Sequence, residues 1–199
     1  MQSLLMIKLG ILGSTRGTHL QTLVHAIQQK ILPASIEMVI SNKADALILE
    51  RARNYQLRAE FISPLNQTRE CFDQTISAMF SKWNIDLVVL IGYMRILSGS
   101  FIENWKHKII NVHPSLLPAF AGKMDLEVHH AVLQSGVNET GCTVHYVTEK
   151  VDAGPILLQK KCPIFKTDTA EILKSRVQTL EEEALVQAIA KIILSYSPI

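Results

Sequence analysis

The chain has 199 residues, of which 48% are hydrophobic and 19% charged, and its formal net charge is +2. That length suits one domain, and the apolar content supports a sizeable core and excludes a disordered chain. The charges form no long basic block and no basic stretch studded with aromatics, which argues against a nucleic-acid partner and for a small-molecule one. Cys71, Cys142 and Cys162 lie far apart without CxxC spacing, a pattern that predicts neither a disulfide framework nor a thiolate metal site and fits a reducing cytoplasm.

The opening apolar run from Leu4 to Leu12 contains Lys8 and is too short to span a membrane. It reads as a first buried strand, Met6 to Leu12, followed by a turn from Gly13 to Thr18. Leu20, Leu23, Val24 and Ile27 then share one face of a helix that runs from Leu20 to Ile31 and is closed by Pro33. A strand at Glu37 to Ile40, a helix at Ala44 to Tyr55, a short strand at Ala59 to Ile62 and a helix at Gln67 to Trp83 follow. Asp86 to Ile91 is an almost unbroken apolar run, the pattern of a central parallel strand covered on both faces.

The texture then changes. Lys108 to Val112 reads as a strand stopped by Pro114, and Leu126 to Leu133 as a helix ending before Gly136. Gly141 to Thr148 and Pro155 to Phe165, joined by a turn at Asp152 and Gly154, suit an antiparallel pair. Asp168 or Thr169 caps a last helix, with Ile172, Val177, Leu180, Leu185, Ile189 and Ile193 as its apolar stripe. The alternation of strands and helices predicts an α/β fold. Its sheet is mostly parallel, twisted and Rossmann-like, with helices on both faces, antiparallel strands in the C-terminal part and a long C-terminal helix. We expect one domain over residues 1–199, with halves meeting near residue 100.

In an open parallel sheet, ligands gather at the carboxyl ends of the strands, so the residues just past each apolar run are the candidates. Gly13-Ser14-Thr15-Arg16-Gly17-Thr18 lies between a strand and a helix, where backbone amides and the helix dipole can hold a phosphate, although it matches neither the dinucleotide fingerprint nor the P-loop. Gly92-Tyr93-Met94-Arg95-Ile96-Leu97 follows the most apolar strand and can line a flat pocket. Asn111 and His113 are two apart at a strand end, so a carboxamide and an imidazole emerge on the same face. An aspartate in a turn ordinarily satisfies its own backbone; facing His113, Asp152 would instead orient the imidazole and favour its charged form, a usable general acid. His145 reads as structural or as a supporting residue. The adjacent His129 and His130 cannot share a metal from one helix, and no metal site is expected.

Asn111-x-His113-Pro114-Ser115-Leu116-Leu117-Pro118, Asp152 in Val-Asp-Ala-Gly-Pro, and Gly92-Tyr-Met-Arg-Ile-Leu together resemble the folate-dependent formyltransferases. The similarity runs from Ile11 to about Val186 and takes in Ser41-Asn42-Lys43-Ala44-Asp45-Ala46 and Arg176-Val177-Gln178-Thr179-Leu180-Glu181. It implies transfer of the formyl group of 10-formyltetrahydrofolate, a co-substrate, to the amine of glycinamide ribonucleotide, without a metal, in a cytoplasmic enzyme that is a monomer or weak homodimer. Asn111, His113 and Asp152 are the implied catalytic trio. Arg69, Met94, Arg95, Ile96, Leu97, Thr148, Glu149, Lys150 and Val151, with Asn111 and Asp152, are the implied folate contacts. Arg16, Gly17, Thr18, His19, Gln178 and Glu181 are implied to hold the ribonucleotide.

Two stretches depart from the family's commonest spelling. Where many relatives end a glycine-rich turn in Gly-Ser-Asn, this chain reads Thr15-Arg16-Gly17-Thr18-His19, and Gly122 to Val128 also differs. Transfer to a transfer RNA and hydrolysis of the folate are rivals within the family, but each ordinarily needs an added domain that 199 residues leave no room for. A sugar-nucleotide formyltransferase stays open. From other classes, a folate or nucleotide sensor is opposed by the intact trio, and a dinucleotide-dependent oxidoreductase by the missing fingerprint.

Overall fold

The computed structural model describes residues 6–196, so Leu4 and Leu5 of the opening apolar run lie outside the described residues. Seven strands and six helices alternate along the chain: β1 (Ile7–Gly13), α1 (Thr18–Gln28), β2 (Ala34–Ser41), α2 (Leu47–Asn54), β3 (Ala59–Phe61), α3 (Arg69–Lys82), β4 (Leu87–Ile91), α4 (Gly99–Asn104), β5 (Ile109–His113), α5 (Leu126–Gln134), β6 (Glu139–Tyr146), β7 (Ile156–Pro163) and α6 (Ala170–Tyr196). Hydrogen-bonded neighbours run β3-β2-β1-β4-β5-β6-β7. The expected α/β class, the mostly parallel sheet, the antiparallel C-terminal pair and the long last helix are all present. The residues fall into two compact units, one up to Ile110 together with those from Ile189 onward, the other Asn111–Ala188.

In the first unit, β1 pairs in parallel with both β2 and β4, and β2 with β3. All five residues of β4 are buried, so both of its faces are covered, as the unbroken run Leu87-Val88-Val89-Leu90-Ile91 requires. Leu9, Ile11 and Leu12 of β1, Leu20 and Leu23 of α1, and Phe72, Ile76 and Phe80 of α3 have no exposed surface and make the core. Most boundaries moved by one to three residues, β2 starting at Ala34 and not Glu37, and two of the shifts have a local backbone cause. Helix α1 stops at Gln28, before the expected Ile31, because Lys30 takes a left-handed backbone (φ 59°) and the amides of Ile31 and Leu32 turn back to the Ala26 carbonyl. Helix α2 starts at Leu47 because Ala46 is still extended. Helix α4 was not anticipated: its six residues are too few for a periodic signal, and its one sequence mark is Ser98, whose hydroxyl caps it by accepting from Phe101 N.

In the second unit, β6 and β7 are antiparallel, with Gly141 opposite Lys161. Six consecutive residues of β6 are buried, whereas β7 is mostly exposed or half-buried. The cap of α6 is Thr169, whose hydroxyl accepts from Ile172 N; Asp168 instead accepts from Phe165 N and grips Arg176 through two hydrogen bonds. The expected stripe needs one correction. Ile172 is exposed and Leu173 is buried in its place, because Val177, Ala184 and Leu185, four, eleven and twelve residues further on, set the buried face, while Leu180 is half-buried.

Candidate active site

The second unit holds the proposed reacting groups. Strand β5 ends at His113, and alternation along it sends Asn111 and His113 to the same face. His113 is 4% exposed. Its Nδ1 lies 3.3 Å from Asp152 Oδ2 and its Nε2 lies 3.3 Å from the Phe120 carbonyl oxygen. Both ring nitrogens therefore face oxygen acceptors, and an imidazole satisfies two acceptors at once only when it carries two N–H groups, as the imidazolium. The ring thus has a carboxylate on one side and a carbonyl oxygen on the other.

Asp152 comes from the turn between β6 and β7 and takes a positive φ of 53°, a conformation that aspartate tolerates better than most residues. Its Oδ2 also accepts from Gly122 N at 2.8 Å, and its side chain is 11% exposed. Gly154 keeps the turn tight: a Cβ there would lie 1.8 Å from the Tyr146 carbonyl oxygen. His113 and Asp152, 39 residues apart, thus stand side by side, and Asn111 is linked to Asp152 through His145.

His145 belongs to the same cluster, more closely than a supporting role suggested. It is 2% exposed, its Nε2 lies 3.3 Å from Asn111 Nδ2 and 3.6 Å from Asp152 Oδ1, and its Nδ1 lies 2.9 Å from the Tyr146 carbonyl oxygen. Burial lowers its pKa, against the raising effects of the Tyr146 carbonyl and Asp152. In the neutral ring, Nδ1–H donates to Tyr146 O and the Nε2 lone pair accepts from Asn111, which fixes which end of the carboxamide is the donor. The sequence signal was the alternation of Gly141 to Thr148, which placed His145 on a strand without saying what lay across from it.

The other half of the predicted loop, Thr148 to Val151, is held by Thr148 Oγ1 donating to Lys150 O, with Glu149, Lys150 and Val151 exposed. On α6, Gln178 is half-buried and Glu181 is 8% exposed. His129 of α5 is buried, and that burial lowers its pKa, against the raising effect of Glu181 and with the lowering effect of Lys174.

In the first unit, Gly17 caps α1 with φ 67°, and a Cβ on it would meet Ile48 at 2.4 Å, so only glycine fits. Arg16 is exposed and Thr18 and His19 are half-buried at the helix start, where the first backbone N–H groups have no intrahelical partner. Ser14, part of the candidate turn but given no contact of its own by the sequence, is 3% exposed. Its hydroxyl donates to Asn42 Oδ1 at 2.6 Å and accepts from Met94 N at 2.9 Å. Past β4, Met94 and Ile96 are exposed, while Leu97 is only 5% exposed and joins the core. The Arg95 guanidinium lies 4.6 Å over the Phe72 ring. Asp73, buried in α3, accepts from Ser98 N at 2.6 Å, and burial raises its pKa. Arg69, the first residue of α3, pairs with its neighbour Glu70 at 3.4 Å.

Among the described residues no three histidine, cysteine or acidic side chains gather as metal ligands, and no helix is long and apolar enough to cross a membrane.

The model of the formyl transferase family matches residues 7–189. The chain belongs to that family. The phosphoribosylglycinamide formyltransferase of Haemophilus influenzae is 42% identical over 175 residues, which cover 87% of this chain and 81% of that protein. A trifunctional purine biosynthetic protein of Homo sapiens is 39% identical over 183 residues, or 92% of this chain, but the chain spans only 18% of that longer protein. Among solved structures, the glycinamide ribonucleotide transformylase 1 of Symbiobacterium toebii matches with a TM-score of 0.91 and 38% identity, covering 98% of this chain and 91% of the other. A histidine and a carboxamide on one strand face are both donors suited to an oxygen that gains negative charge.

Proposed function

We propose that this formyl transferase moves the formyl group of 10-formyltetrahydrofolate onto the amine of glycinamide ribonucleotide in purine synthesis, giving formylglycinamide ribonucleotide and tetrahydrofolate. The observation that carries the reading is His113 held between Asp152 Oδ2 and a carbonyl oxygen, each at 3.3 Å. The Phe120 oxygen marks where the ring offers its second N–H, and the formyl oxygen of the folate takes that N–H in its stead.

The neutral amine attacks the formyl carbon, forming a C–N bond while the carbonyl π electrons move to oxygen. Asn111 Nδ2–H and the charged Nε2–H of His113 stabilise the resulting oxyanion; losing one such donor typically costs about 3 to 4 kcal/mol of barrier. The tetrahedral centre then collapses and expels folate N10. The proton lost by the amine passes, through Asp152 or a water, to that leaving nitrogen. No covalent enzyme intermediate is needed, because the attacking amine is already a nucleophile.

Arg16, Gly17, Thr18 and His19 serve the phosphate through the helix terminus, and Gln178 and Glu181 hold the rest of the ribonucleotide. Arg69, Met94, Arg95, Ile96, Leu97 and the loop Thr148, Glu149, Lys150 and Val151 serve the folate; for the buried Leu97 and the stacked Arg95, the contact comes from the backbone at least in part. The enzyme works in the cytoplasm, as a monomer or weak homodimer.

The test incubates the purified chain with 10-formyltetrahydrofolate, with and without glycinamide ribonucleotide, and follows deformylated folate. Release that depends on the nucleotide is expected; release that ignores it would make the chain a deformylase. His113→Ala should abolish turnover and leave nucleotide binding largely intact, and equal activity in that variant removes His113 from the mechanism.

A further inference from the structure

We infer that Ser14 is a positioning residue that ties the phosphate turn to the folate wall, so that filling one tightens binding at the other. The inference rests on the ligand assignments just proposed and uses residues of the first unit alone. Ser14 makes three hydrogen bonds, and all leave its own turn. Its N–H donates to the Gly92 carbonyl at 3.1 Å, its hydroxyl accepts from Met94 N at 2.9 Å, and the same hydroxyl donates to Asn42 Oδ1 at 2.6 Å. A serine hydroxyl has one proton to give, and here it is given to Asn42, which leaves a lone pair aimed at Met94.

The packing at this junction is equally close. Gly92 has φ 55°, and a Cβ there would lie 2.3 Å from Thr15 Oγ1. The third residue of the turn therefore rests directly on Gly92, two residues before Met94 of the wall. Asn42, which braces Ser14, follows β2 and lies in the Ser41-Asn42-Lys43 stretch that the catalytic assignment leaves without a role. With its hydroxyl engaged on both sides and only 3% of Ser14 exposed, the residue cannot shift without moving Asn42 or Met94. When a phosphate draws the turn's amides onto itself, Ser14 is fixed with them, and Met94 with Ser14. A folate arriving second meets a wall whose ordering cost is already met. Reciprocity requires the folate to favour the phosphate by the same factor.

The experiment titrates tetrahydrofolate, which carries no formyl group and cannot react, into the full chain by calorimetry. It is done with saturating inorganic phosphate and with chloride at matched ionic strength. Inorganic phosphate is the probe because it is too small to reach the folate from the turn. The expected result is folate binding about fivefold tighter with phosphate, the low end of ordinary coupling between sites, and the same factor when the order of titration is reversed. In Ser14→Ala the factor should fall to about one while tetrahydrofolate still binds; Asn42→Ala, at a half-buried position, carries the test if Ser14→Ala does not fold. A factor of one in the wild type, or an undiminished factor in the folded variant, overturns the link alone. A chain that binds no tetrahydrofolate overturns the functional reading and the link together.

Discussion

Replacing Asp152 with asparagine tests the charge behind His113 with almost no change of shape. The Asn Oδ1 can still accept from Gly122 N, a bond that is 2.8 Å in the native protein, so the turn has reason to stay in place. What disappears is the negative charge 3.3 Å from Nδ1 of a ring that is only 4% exposed. At an effective dielectric of about 20, a unit pair at that distance attracts by about 5 kcal/mol. The oxyanion needs the imidazolium, so most of that attraction is lost from the transition state. At about 1.4 kcal/mol per tenfold, kcat/KM should fall by roughly 10³ to 10⁴. The assay is steady-state formyl transfer for Asp152→Asn beside wild type, with thermal melting to check that the two fold alike. Activity within about tenfold of wild type, in a variant that melts normally, would refute the argument that the carboxylate sustains a charged His113.

Two further outcomes follow from neighbouring geometry. Gly154→Ala drives a methyl group to within 1.8 Å of the Tyr146 carbonyl oxygen, so the turn must open and carry Asp152 with it; displacement near 1 Å costs about 10²-fold, and kcat/KM should fall by at least about tenfold along with Tm. His129 gives a pH effect with a definite sign. Burial lowers its pKa despite Glu181 and Asp125, with Lys174 and His130 adding to the lowering. As pH drops below about 6.5 the unfolded chain binds a proton that the native one refuses. Stability is therefore complete above that pH and falls below it, by up to about 1.4 kcal/mol per pH unit for this group. His129→Leu should flatten urea midpoints measured between pH 7.5 and 5.5 by that one proton's worth, and an unchanged slope would show that His129 does not titrate across this window.

The central strand was legible because both its faces are covered. Leu87 to Ile91 is apolar without a break, and the strand it forms is buried on every residue; the alternation over Gly141 to Thr148 likewise announced β6. What escaped detection was short or set by local backbone. Six residues of α4 make fewer than two turns, too few for periodicity to emerge. The early end of α1 depends on a left-handed lysine, Lys30, that no propensity marks. Ile172 and Leu173 are adjacent and equally apolar, so the choice of which faces inward fell to the phase of a helix that runs to Tyr196, set by the positions that follow.

The site divides along another line. Asn111 and His113 were readable because two-residue spacing on a strand fixes their shared face by local geometry alone. Asp152 was readable only with the family resemblance, since a turn aspartate says nothing of what stands opposite. His145 and Ser14 show what sequence spacing cannot reach. The partner of His145 is 34 residues away and that of Ser14 is 80 residues away, and both partnerships exist only once strands pair. A histidine on a strand and a serine in a turn are ordinary residues by type. Their importance lies in the acceptor that one offers Asn111 and the lone pair that the other turns to Met94, and both depend on where the opposite proton goes. His145 must stay neutral to hold Asn111 as a donor, and its burial lowers its pKa in the direction that keeps it so. The proposed reaction asks this cluster for one imidazole charged and one uncharged within reach of a single aspartate. Asp152 stands 3.3 Å from His113 and 3.6 Å from His145, so its carboxylate lies nearer the first ring than the second.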